Sequence, residues 1–271
     1  MTAELKLIQP AELAEQLNEP DLVVIDLCPE GDFIQAHVPG ARFLPPQATQ
    51  NGRPPRPGDL PDAGQLERIV AWLGLTQDSR IVVMDHEGGG WTGRMLWLLA
   101  SIGVKSAAAL DGGRVAWLAE GYPTEYGEPS PANPPGTLPI RLTSAHSISA
   151  EQLKAALEAG EVQVWDARSR DEFEGVRGNA LRLGHIPGAI HMEWTELMDP
   201  ARHLRLKPLD TIRDTLIQRG LNPECPVVTH CQTHHRSGLT WLAGQLMGLN
   251  IRAYPGSWSE WGNREDTPVT A

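Results

Sequence analysis

The second half of the chain repeats, in the same order, a pattern already present in the first. Asp26 closes the apolar run Leu22-Val23-Val24-Ile25, and Asp166 closes Val162-Gln163-Val164-Trp165. His37-Val38-Pro39-Gly40-Ala41 returns as His185-Ile186-Pro187-Gly188-Ala189, and Ile81-Val82-Val83 as Pro226-Val227-Val228. Asp111-Gly112-Gly113 with Trp117 returns as Pro255-Gly256-Ser257 with Trp261. The matched pairs lie 140, 148, 145 and 144 residues apart, close to half of the 271-residue chain. Self-similarity of this kind marks a duplicated unit. Two homologous domains are expected, with one longer insertion in the second between Asp166 and His185.

The join is also legible. Pro123, Pro129, Pro131, Pro134, Pro135 and Pro139 crowd one stretch, which cannot hold a helix and favours extended chain. The expected division is an N-terminal domain over residues 1–124, a Pro-rich linker over 125–145 and a C-terminal domain over 146–271. Within each half, helical and strand-like patterns alternate. Pro10 to Leu17 has helical apolar spacing, and its counterpart from Ala150 to Leu157 begins with Ser149 and Gln152 in capping-box positions. Short β-branched runs at Ile81 and Val227 each lead through a loop into a helix, Arg94 to Ile102 and Leu239 to Met247. This alternation points to α/β domains, each a parallel sheet of about five strands flanked by helices. Ligands of such sheets sit at the carboxyl ends of the strands.

Net charge narrows the function classes. At −11, the chain offers no broad basic face to nucleic acid or to an anionic membrane. No apolar run is long enough to span a bilayer, and residues 1–26 lack the basic start and apolar block of a secretory signal. A cytoplasmic location is expected. Three cysteines, Cys28, Cys225 and Cys231, do not form a disulfide framework. Cys28 reads as a packed thiol and Cys225 as a turn residue.

Cys231 differs because of its neighbours. His230-Cys231-Gln232-Thr233-His234-His235-Arg236-Ser237-Gly238 begins at a strand end and closes at a helix start. The helix N-terminus offers unpaired N–H groups and partial positive charge, Arg236 adds a fixed cation, and the histidines add donors. All favour thiolate over thiol, and the same groups would hold an anion beside the sulfur. Aligned without gaps, Val82–Gly93 falls on Val227–Gly238, placing Cys231 on His86, His230 on Asp85 and Arg236 on Trp91. The first half then lacks nucleophile and cation and adds Glu87. One active domain and one structural partner are expected.

Phe33 with His37-Val38-Pro39-Gly40-Ala41, its copy at His185–Ala189, Asp166-Ala167-Arg168, and Ala253-Tyr254-Pro255-Gly256-Ser257-Trp258-Ser259-Glu260-Trp261 together resemble the signatures of the two-domain rhodaneses. The loop from Cys231 to Arg236 is similar to that of a bacterial thiosulfate:cyanide sulfurtransferase. The resemblance implies a double displacement. Cys231 takes the outer sulfur of thiosulfate as a persulfide, and cyanide, a thiol or a sulfur-acceptor protein removes it, with no dissociable cofactor and no metal. It makes Cys231 the catalytic residue. Arg236, Gln232, Thr233, His234, His235 and Ser237 become substrate-binding, and His230, Asp166, Arg168 and Trp194 supporting. Two departures stand out. Gln232-Thr233-His234-His235 matches neither the basic nor the Gly/Ser loops of better-known relatives. Glu172 occupies a position where many have a substrate-binding Arg, and a carboxylate there is expected to repel an anionic donor.

Three other readings compete. A Cys-dependent phosphatase or arsenate reductase uses the same scaffold, but its loop has five residues between Cys and Arg where this one has four. A metal module could draw on His230, Cys231, His234 and His235, though one tight turn rarely yields tetrahedral geometry. A non-catalytic binding module remains because fold does not fix function. Among single residues, Trp258 and Trp261 are expected in the core, and His37 and His185 as turn-holding hydrogen bonders. Asp166 with Arg168 is expected as an ion pair orienting the loop.

Overall fold

The computed structural model describes residues 4–270. The first half runs β1 (Glu4–Ile8), α1 (Pro10–Gln16), β2 (Leu22–Asp26), α2 (Glu30–Gln35), β3 (Arg42–Phe43), α3 (Ala63–Leu73), β4 (Arg80–Met84), α4 (Gly90–Ser101), β5 (Ser106–Leu110) and α5 (Gly113–Ala119). Its strands form a parallel sheet in the order β1-β5-β4-β2-β3. The Val- and Ile-rich sequences of β2 and β4 follow from this, since strands covered on both faces need apolar side chains on both. The second half runs α6 (Ala150–Glu158), β6 (Gln163–Asp166), α7 (Arg170–Phe173), β7 (Ile190–His191), β8 (Met198–Asp199), β9 (Arg205–Leu206), α8 (Leu209–Gln218), β10 (Val227–His230), α9 (Arg236–Leu246), β11 (Ile251–Ala253) and α10 (Ser257–Trp261). Its parallel sheet has the order β11-β10-β6-β7.

The second sheet therefore has four strands rather than five. At the edge where β1 lies in the first sheet, the chain contributes a single parallel bridge, Ser147 to Ala253. α6 starts as its sequence indicates: Ser149 Oγ accepts from Gln152 N, and Gln152 Oε1 accepts from Ser149 N. The Pro-rich stretch is extended but not loose. Ala132, Gly136 and Leu138 donate main-chain hydrogen bonds to Trp72, Ala71 and Leu75 of the first domain.

The two halves share a core. α4 and α9 are buried along most of their lengths and pack on one another. One continuous apolar cluster includes Trp97 and Leu98 from α4 with Leu239 and Trp241 from α9. The closest approach is at Gly93 and Gly238, where a Cβ on either would run into the other helix's backbone. Each half also covers the other's strand-to-helix loop. Gln50 Nε2 donates to Thr233 O at 3.0 Å, and Gly58 lies against the Thr233 backbone. Reciprocally, the antiparallel β8–β9 hairpin puts Met198 against Gly88, and Leu206 N donates to Asp111 Oδ1 at 2.9 Å.

Candidate active site

Cys231 stands at the carboxyl end of β10, five residues before α9. It is only 1% exposed, yet polar groups line its sulfur. Ser237 Oγ donates to Cys231 Sγ at 3.5 Å. Burial alone would push the thiol up. The Arg236 charge, with the Ser237 hydroxyl and N–H and the nearby His235, overcomes it and holds Cys231 below the ordinary cysteine value. Ser237 in turn meets His234, whose Nδ1 is 2.8 Å from Ser237 Oγ. His234 is buried with a left-handed backbone, φ 54°, and its ring meets Trp97 edge-on. Burial, together with Arg94 and His235, depresses His234 well below the usual histidine value, so its ring is neutral. The loop itself hangs on Ser257, whose Oγ accepts from Cys231 N at 3.4 Å and His234 N at 3.2 Å.

Arg236 and His235 at the rim are already paired. Arg236 donates two hydrogen bonds to Glu172, at 2.6 and 2.9 Å. Burial raises Glu172, but these bonds and the Arg236 charge bring it down to about 2. Glu172 thus forms a fork–fork pair with the loop arginine. The expectation that it acts only as a repelling charge needs this correction. His235 Nε2 donates to Glu87, contributed by the first domain. The His235 ring stacks on Trp91 of the first domain at 4.0 Å, and Trp194 of its own domain lies 5.7 Å away.

Asp166, Arg168 and His230 sit behind Cys231. Arg168 grips Asp166 through Nε and Nη2, with Nη2 to Oδ2 at 2.6 Å, and also bonds Gly184 O. Its guanidinium lies over Trp258, 4.3 Å from the ring centroid. His230 Nε2 is 3.4 Å from Asp166 Oδ2. Burial raises Asp166, but His230 and Arg168 outweigh it and keep the carboxyl below its ordinary value. Gln232 and Thr233 contribute backbone: Gln232 O accepts from Ser259 N, and Thr233 O from Gln50. Trp258 and Trp261 are core residues, and His37 and His185 bond Phe33 O and Phe173 O. The three histidines beside Cys231 point to different partners. Among the described residues no group of His, Cys, Asp and Glu could hold a metal.

Sheet register corrects the alignment of the two loops. Asp26 pairs with Met84 in the first sheet and Asp166 with His230 in the second. Cys231 therefore corresponds to Asp85, not His86, and Arg236 to Gly90, not Trp91. The Asp85 carboxylate fills the first loop. Oδ1 accepts from Glu87, Gly88 and Gly89 N–H at 2.9–3.1 Å, and Oδ2 from Thr92 N–H at 2.8 Å. The loop of the first domain thus closes around a carboxylate of its own.

The first domain also supplies groups that sequence reading passed over. Arg94 of α4 is fully buried, held by the carbonyls of Thr49, Gly58 and Asp59 at 2.5–3.1 Å. Burial lowers it, the charges of Asp59 and Cys231 partly offset that, and the net value is about 9. Its sequence signal, a lone Arg opening an apolar helix, is equally that of a surface residue.

A Rhodanese-like domain is matched twice, over residues 9–120 and 149–264. The chain belongs to the rhodanese family. Its relatives include the thiosulfate sulfurtransferases of Pseudomonas aeruginosa and Azotobacter vinelandii. Each is 44% identical over 263 residues, covering 97% of this chain and 96% of the relative. Among solved structures, the rhodanese fold of Escherichia coli SseA, a 3-mercaptopyruvate sulfotransferase, superposes with a TM-score of 0.83 at 26% identity. The match covers 93% of this chain and 98% of SseA. The tandem rhodanese architecture thus accounts for both sheets. No helix among the described residues is long and apolar enough to cross a membrane.

Proposed function

We propose that this rhodanese is a thiosulfate sulfurtransferase that carries sulfur on Cys231. The Cys231 thiolate attacks the outer sulfur of thiosulfate. The donor's S–S bond breaks, its electron pair leaves with sulfite, and Cys231 holds a persulfide. Cyanide or a thiol then attacks the outer persulfide sulfur, and the thiolate returns with release of thiocyanate or a new persulfide.

The observation that carries the reading is the polar lining of a buried sulfur, with the Ser237 hydroxyl as donor and the Arg236 charge beside it. Asp85 adds support. Its carboxylate oxygens stand two bonds beyond Cβ, as the outer sulfur of a persulfide on Cys231 would. They are met by four backbone N–H groups in the corresponding loop. In this reading the N–H groups from Gln232 to Ser237 cradle the outer sulfur. Arg236 and His235 face the donor's anionic end, and His234 fixes Ser237. Trp194 lines the mouth, and His230, Asp166 and Arg168 brace the loop. Small thiols or a protein thiol in the cytosol are the proposed acceptors, with the first domain (1–124) silent and joined through 125–145. Thiocyanate formation from thiosulfate and cyanide is expected for the native protein and absent in Cys231→Ser. Retained turnover in that variant would place the chemistry elsewhere.

A further inference from the structure

Arg236 and His235 at the rim of the Cys231 loop each meet a carboxylate, and one carboxylate comes from the other domain. Arg236 is forked by Glu172 within its own domain. His235 is held by Glu87, 148 residues away in sequence, on the loop whose nucleophile position is filled by Asp85. Glu87 and His235 are about equally exposed, 24% and 23% of their side chains, so this pair lies at the solvent side of the loop. Trp91, also from the first domain, stacks on His235 and fixes the ring against Glu87. The Nε2 donor of His235 is therefore spent on Glu87, and a half-buried carboxylate stands at the rim of the loop that carries Cys231.

We propose that Glu87 is a specificity-determining residue of the Cys231 site. It makes the site discriminate against doubly charged sulfur donors in favour of singly charged or uncharged ones. The inference rests on Cys231 as the sulfur carrier. Its physical content is Coulombic: repulsion by one carboxylate scales with the charge of the donor. Neutralising Glu87 must therefore help a dianion about twice as much, on a logarithmic scale, as a monoanion delivering the same sulfur. It must help less as salt rises, because the pair is partly exposed. The silent domain then does more than brace the fold, since it sets which donors load the other.

The test compares thiosulfate, a dianion, with benzenethiosulfonate, a monoanion. In both, Cys231 takes the outer sulfur and the S–S electron pair leaves with sulfite or benzenesulfinate. Glu87→Gln keeps an oxygen to accept from His235 Nε2 and removes only the charge. At low salt, kcat/KM for thiosulfate is expected to rise about three- to tenfold in this variant, with a gain for benzenethiosulfonate near the square root of that factor. Both gains should shrink toward one in high salt. Glu87→Asp, which keeps the charge, should leave the ratio of the two donors as in the native protein. Equal changes for both donors, a fall for thiosulfate, or a gain that salt does not touch would overturn the proposal. Failure of the native protein to load sulfur from either donor would instead overturn the reading on which it rests.

Discussion

Ser237 Oγ donates a hydrogen bond to Cys231 Sγ, and mutation can remove it. Ser237→Ala should shift the pH midpoint of Cys231 alkylation upward. It should lower kcat/KM for thiosulfate about tenfold, as for loss of a hydrogen bond to a charged group. An unmoved midpoint would show that the hydroxyl does not hold the thiolate. Glu172 makes a pH prediction of definite sign. Its folded value, about 2, lies below the ordinary 4.5. The stability it contributes is therefore fully present above about pH 4.5 and is lost as the pH falls toward 2. Urea denaturation of native protein and Glu172→Gln should differ most near neutral pH and converge in acid. A constant difference would mean that the Arg236 pair is not the source.

At the scale of the element, the two strand–loop–helix units solve one problem with different anions. β4 and its loop wrap an Asp85 carboxylate, whereas β10 and its loop present a thiol. Asp85→Ala would orphan several inward N–H groups at once and should cost about 3 kcal/mol in urea denaturation. A loss well under 1 kcal/mol would show that water replaces the carboxylate. Sequence reading found both units, since Val-rich runs ending at a polar loop and a buried helix are strong local signals. It slipped the alignment by one residue because Ile81-Val82-Val83 and Pro226-Val227-Val228 match at more than one register, and only pairing with β2 and β6 fixes it. The fifth strand of the second sheet failed to form for a related reason. The chain before Ile148 pairs at one residue only, a matter of sheet-edge geometry that no local pattern announces.

Across the whole molecule, the domains are not separable modules. α4 and α9 meet at Gly93 and Gly238, and each half covers the other's loop. Gly238→Ala should destabilise the protein by about 3 kcal/mol or more, because backbone rather than a side chain stands in the way. Native protein should unfold in one transition. Two separated transitions would contradict the shared core. The repeat, the fold class and the Cys231 loop were readable from local residues. The pairs Glu172–Arg236 and Glu87–His235 were not, since they join segments 64 and 148 residues apart and exist only once the chain is folded. Intact mass after exposure to thiosulfate tests the account most directly. A single gain of about 32 Da is expected, mapping to the Cys231 peptide, discharged by cyanide and absent in Cys231→Ala. No gain, or a gain carried by Cys28 or Cys225, would contradict it.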